Sequence, residues 1–89
     1  MHQQAIRRII EMEYCFDLLL HCAPEAIRQD PVLRRMHREL VSYYDNGQWL
    51  SDYTLDESGS LPQWLKRGVL SQDGLYNLLC RLAAYEEFS

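Results

Sequence analysis

Ala5, Ile9, Met12, Phe16, Leu19 and Ala23 are separated by alternating steps of four and three residues, which lines all six along one side of an α-helix. Cys15 and Cys22 flank the stripe, and Ile6, Ile10, Tyr14 and Leu18 lie outside it. Such a helix is apolar around much of its girth and needs cover on more than one side. A chain of 89 residues holds one hydrophobic core and has no room for a deep enclosed cavity. The first helix is therefore the expected centre of the fold. Its girth also supports self-association, unless the C-terminal helix covers it.

Pro24 withholds a backbone donor and crowds the preceding turn, yet Ala26 and Ile27 continue the same stripe. One helix over 3–28 with a kink near Pro24 is expected, a clean break being the alternative. Asp30 followed by Pro31 is an N-cap with proline at the first helical position, and Asn46-Gly47 tolerates the left-handed backbone that ends helices. Between them Leu33, Met36, Leu40 and Tyr43 form a buried stripe, opposite Arg34, Arg35, Arg38, Ser42 and Asp45. This second helix, 31–45, should run antiparallel to the first.

From Gln48 to Gly59 the period is lost, because Trp49, Leu50 and Tyr53 alternate with Asp52, Asp56 and Glu57. An ordered loop pinned by its aromatics is expected, ending at Ser58-Gly59-Ser60. Leu61 to Arg67 can form a short helical turn starting at Pro62 and stopped by Gly68. Ser71 then caps a last helix over 72–86, with Leu70 stapled to Leu75 and an apolar face of Leu75, Leu78, Leu79, Leu82 and Tyr85. The expected fold is all-α: a small helical bundle of three main helices with an antiparallel helix pair and an ordered acidic and aromatic loop. No repeat or linker divides the chain, so 1–89 reads as a single helical domain.

Net charge is −4, the wrong sign for a domain whose task is neutralising phosphates, so no nucleic-acid partner is expected. Arg7, Arg8, Glu11, Glu13 and Asp17 interrupt the N-terminal segment too often for a signal peptide or a membrane span. Cys15, Cys22 and Cys80 are an odd number set among apolar helical residues, which reads as free buried thiols in a reducing compartment. A cytoplasmic location is therefore expected, with no membrane contact.

From Tyr43 onward the chain carries Tyr43-Tyr44, Gly47, Trp49-Leu50, Asp52-Tyr53, Asp56-Glu57, Gly59 and Leu61-Pro62. It continues with Leu65-Lys66-Arg67-Gly68-Val69-Leu70-Ser71, Asp73, Tyr76 and Leu78-Leu79. This string resembles the bacterial domain-of-unknown-function family 4298. The resemblance covers the C-terminal half at motif level, while the N-terminal half is similar only as a long helix, with Pro24 untypical. It implies a small bacterial intracellular protein and carries over no catalytic residue.

Two features are suggestive of a site. Asp45, Asp52, Asp56 and Glu57 near Trp49 and Tyr53 supply carboxylates of the kind that bind a divalent cation or act as acid and base, but their spacing matches no calcium loop. Structurally, Asp52 and Asp56 can instead cap turns or pair with Lys66 and Arg67. Lys66 to Ser71 offers two cations, a hydroxyl and a helix start to an anionic group; without a Gly-rich phosphate loop, Gly68 and Ser71 read rather as stop and start signals, with Arg67 paired internally. Arg28, Arg34, Arg35 and Arg38 are interleaved with Glu25, Asp30, Glu39 and Asp45, which is a solvated face. Cys15 and Cys22 lie about 10 Å apart along one helix, too far for a disulfide. His2, His21 and His37 share no ligand spacing, so no metal, cofactor or catalytic set is expected.

Two functions remain as expectations. The first is a non-enzymatic protein-binding or regulatory module presenting the Trp49 to Ser71 surface to a protein partner, through Trp49, Asp52, Tyr53, Asp56, Lys66, Arg67 and Ser71. The second is a small enzyme or anionic-ligand binder using Asp52, Asp56, Lys66 and Arg67 in a shallow cleft. In either case Trp49, Asp52, Tyr53, Asp56, Lys66 and Arg67 should gather where the loop folds back on the last helix, since a loop this long must be tied down to offset its ordering entropy.

Overall fold

The computed structural model describes residues 2–87. Five α-helices and one 3-10 turn succeed one another, with no strand among the described residues: α1 (Gln3–Leu20), α2 (Pro24–Gln29), α3 (Pro31–Asp45), α4 (Gln48–Glu57), the 3-10 turn (Gly68–Leu70) and α5 (Gly74–Glu87). The all-α expectation holds, but five helices replace the expected three.

The expected helix over 3–28 is two helices. α1 ends by tightening, the N–H groups of His21 and Cys22 donating to the carbonyls of Leu18 and Leu19, each at 3.2 Å. Ala23 then takes an extended backbone (φ −67°, ψ 142°), the conformation that a following proline forces on its neighbour, and Pro24 opens α2. A kink would have kept Ala23 helical; the steric demand of Pro24 makes a break instead. Asp30 closes α2 and caps α3, its side chain accepting from Val32 and Leu33 N–H, with Pro31 at the first helical position as expected.

The segment expected to be a loop, 48–59, is mostly helix α4. Gly47 sits at φ 91°, turning the chain between α3 and α4, and the Asn46 side chain accepts from Gln48 N–H at 2.9 Å. At the far end Gly59 N–H donates to Asp56 C=O and Ser60 N–H to Leu55 C=O, each at 3.0 Å, while Gly59 takes φ 74°. This paired closure around a left-handed glycine is a Schellman motif. α4 places Trp49, Asp52, Tyr53 and Asp56 on one face by the spacing i, i+3, i+4, i+7. Two carboxylates on the inward face are what broke the apolar period.

The expected turn after Pro62 is a single one, Leu65 N–H donating to Pro62 C=O at 3.2 Å. Gly68 does not stop a helix but opens the 3-10 turn. Ser71 Oγ accepts from Gly74 N–H at 3.2 Å, the capping role expected of it, and Leu70 and Leu75 are both buried beside it.

α1 and α3 pack together as the antiparallel pair, with α2 against α3, α4 against α3, and the 3-10 turn against α1, α4 and α5. The core joins Ile9, Phe16 and Leu19 of α1, Ile27 of α2, Leu40 and Tyr43 of α3, Val69 and Leu70 of the 3-10 turn, and Leu75, Leu78 and Leu82 of α5. Cover of α1 is incomplete: Ile10 and Tyr14 remain exposed. The thiols also differ from expectation, since Cys15 is buried but Cys22 is only partly so and Cys80 is exposed. Cys80 lies on the outer side of α5, away from the stripe through Leu75, Leu78 and Leu82.

Candidate functional site

The residues singled out in the sequence divide between two polar clasps, an ion pair beside them, an open groove and the cap of α5. The first clasp is centred on Asp52, which is 0 % exposed. Arg8 of α1 donates to both of its oxygens, through Nε to Oδ2 at 2.9 Å and through a terminal nitrogen to Oδ1. Tyr43 of α3 donates its hydroxyl to Oδ2 at 2.7 Å. A carboxylate in this position would carry a heavy desolvation cost alone; a two-pronged guanidinium and a phenol together satisfy it. The hydrogen bond that it donates to Asp52 raises the Arg8 guanidinium above its ordinary value, while burial and then the bond to Asp52 push the Tyr43 phenol up. Three helices are thereby fixed at one point.

The second clasp holds the backbone of Val69 from both sides. Glu13 Oε1 of α1 accepts from Val69 N–H at 2.7 Å, and Trp49 Nε1 of α4 donates to Val69 C=O at 2.8 Å. The Trp49 ring lies flat on Tyr53, centroids 5.0 Å apart at 17°, and tilted against Tyr44 at 5.3 Å. Asp56 accepts from Arg67 at 3.0 Å just outside this stack. Part of the expected cluster therefore forms: Trp49 and Tyr53 stack, Trp49 reaches the segment before the last helix, and Asp56 meets Arg67. Asp52 turns instead to α1 and α3.

Lys66 lies elsewhere, on the rim of a groove of about 400 Å³ between α1 and the segment after α4. Its α1 wall carries Ile10, Tyr14 and the carboxylates of Glu13 and Asp17; its other wall carries Trp64 and Leu65. Neither Asp52 nor Asp56 lines it. Trp64 is 69 % exposed and Tyr14 64 %, the two largest exposures among the big apolar side chains of the described residues. Ser71 is occupied by its cap on α5.

Sequence reasoning did not single out Arg8, Tyr43, Glu13 or Trp64 as members of these arrangements. One signal for the Asp52 clasp was present: Gly47 and Gly59 bracket a helix-sized segment in which Asp52 shares a face with Trp49. No local signal pairs Arg8 with a residue 44 positions away. Among the described residues no group of three or more His, Cys, Asp or Glu side chains is placed to hold a metal ion. No helix is long and apolar enough to cross a membrane among them. None of their buried side-chain polar atoms lacks a hydrogen-bond partner.

These features define a small all-α domain tied by two polar clasps that both reach α1. The chain belongs to the family described as Domain of unknown function (DUF4298), whose family model matches residues 9–86. That match takes in most of α1, further than the motif string from Tyr43 onward. No curated protein and no solved structure matches the chain.

Proposed function

We infer that the chain is a non-enzymatic protein-binding or regulatory module of the bacterial cytoplasm, forming one domain over 1–89, whose contact surface is the Trp49 to Ser71 segment with Trp64 at its centre. The observation that carries this is the exposure of Trp64, 69 % open to solvent, in an apolar groove opposite Ile10 and Tyr14. Large aromatic side chains beside a charged rim are the usual energetic anchors of protein interfaces. A groove of this kind is costly to leave in water, because its apolar walls gain nothing from solvent. Within the segment, Trp49, Asp52, Tyr53, Asp56 and Arg67 act as the frame that holds the surface in shape, and Lys66 supplies a charge at its edge.

The alternative, a small enzyme or anionic-ligand binder using Asp52, Asp56, Lys66 and Arg67, has less behind it. Asp52 is closed to solvent with both oxygens engaged, and Asp56 already holds Arg67. Converging polar groups free to meet a substrate are what such a reading requires.

The test is site-specific photo-crosslinking in the source cell, with a photoreactive amino acid at position 64 and, as control, at position 38 on the exposed side of α3. A covalent adduct from position 64 is expected, absent from position 38 and lost when Ile10 and Tyr14 are both replaced by Ser. No adduct from position 64, or one indifferent to those replacements, contradicts the assignment.

A further inference from the structure

If the chain is an interaction module, as proposed above and as the choice of occupant requires, the groove itself specifies what fills it. Its two walls are unlike. One is the α1 face of Ile10 and Tyr14, one helical turn apart, with the carboxylate of Asp17 beside it; the other is the exposed indole of Trp64, with the ammonium of Lys66 beside it. The Asp17 side chain is 68 % exposed, and its ion-pair neighbour within the chain is His21, 3.9 Å away. Lys66 is exposed and has no ion-pair partner among the described residues.

Each wall thus carries what the opposite wall of an identical groove can bind: an indole for an apolar pair, and a cation for an anion. That is the requirement for an isologous contact, in which residue i of one copy meets residue j of the other and the reverse. Two chains of net charge −4 repel at long range, which opposite charges meeting locally offset; a two-fold axis through the groove brings two such pairs together.

We propose that this groove is a two-fold homodimer contact, with Trp64 of each copy seated between Ile10 and Tyr14 of the other and Lys66 facing the other copy's Asp17. The partner of the contact face is then a second copy of this chain. The outward apolar side of α1, through Ile10 and Tyr14, is covered in the dimer rather than by the chain itself.

The test is sedimentation equilibrium of the full chain across a concentration series, with helical content monitored by circular dichroism. The wild type should dimerise reversibly. Trp64→Ala should keep its helical content and raise the dimer Kd by about 30-fold or more. Asp17→Lys and Lys66→Glu should each weaken the dimer by about tenfold, and the double variant Asp17→Lys/Lys66→Glu should recover most of that loss. The charge swap keeps the proposal testable even if Trp64→Ala misfolds. A chain that stays monomeric up to about 1 mM, a dimer that survives Trp64→Ala, or a double swap no tighter than the single variants overturns it. If position 64 crosslinks to a different protein while the chain stays monomeric, the second copy is overturned and the contact face stands. If it crosslinks to nothing, both are overturned.

Discussion

Asp52 and Arg8 meet across 44 residues of chain in an unequal pairing: the carboxylate is 0 % exposed, while the Arg8 side chain keeps 27 % of its surface in solvent. The inequality predicts which half of the pair is costlier to remove. Arg8→Met strands a buried carboxylate with only Tyr43 to satisfy it and should cost about 3–5 kcal/mol. Asp52→Asn leaves an acceptor for Tyr43 and lets Arg8 swing outward, so about 1–3 kcal/mol is expected. Urea unfolding of both variants checks the order; a costlier Asp52→Asn would contradict it.

Tyr43 makes stability sensitive to alkaline pH. Burial first, then the hydrogen bond to Asp52, raises its phenol above the ordinary value of 10.0. Above that pH the unfolded chain releases a proton that the folded chain retains. The contribution is therefore complete below the unfolded value and is lost as pH rises toward the folded one. Between about pH 10 and pH 11 the wild type should lose about 1 kcal/mol more than Tyr43→Phe. Equal pH slopes for the two proteins in urea titrations would mean that Tyr43 carries none of this dependence.

The two tryptophans should behave oppositely. Trp49 packs against Tyr44 and Tyr53 and donates to Val69, so Trp49→Ala should cost about 3–5 kcal/mol. Trp64 is mostly exposed, and Trp64→Ala should change monomer stability by no more than about 0.5 kcal/mol. Fluorescence gives a second check. A chain retaining only Trp49 should emit further to the blue than one retaining only Trp64, and the reverse order would exchange their roles.

Gly47 is needed for its backbone rather than for space. It sits at φ 91°, and a Cβ added there would meet nothing within 4 Å. Gly47→Ala should cost about 1–2 kcal/mol from the left-handed conformation alone. Gly47→Asn should cost visibly less, because asparagine tolerates that region. Thermal melts of the two variants compare them; an Ala variant as stable as wild type would mean that the turn between α3 and α4 can close another way.

What was legible in the sequence was local chemistry. Asp30 with Pro31, Gly47, and Ser71 each act within three residues of themselves, and each does in the structure what its type and position predict. α4 was hidden because Asp52 and Asp56 occupy its inward face, and a carboxylate there makes sense only with Arg8 or Arg67 in view. The continuity of Ile27 with the α1 stripe was misleading for a related reason: Ile27 is buried, but by a new helix that Pro24 redirects. Trp64 belongs to a stretch with no period, so its exposure depends on how the segment after α4 lies against α1. Of the site residues, the Asp56 and Arg67 pair and the reach of Trp49 toward the last helix were within sequence reasoning, whereas both clasps to α1 depend on tertiary contact.

Asp52 holds the fold together, leaving the groove beside Trp64 to make contacts. A double-mutant cycle of Arg8→Met and Asp52→Leu, read by urea unfolding, measures that hold. The expected coupling is about 2–3 kcal/mol, with the double variant more stable than Arg8→Met alone because no buried charge remains unpaired. Additive losses to within about 0.5 kcal/mol, or an Asp52→Leu chain more stable than wild type, would contradict it and make Asp52 a candidate functional carboxylate again.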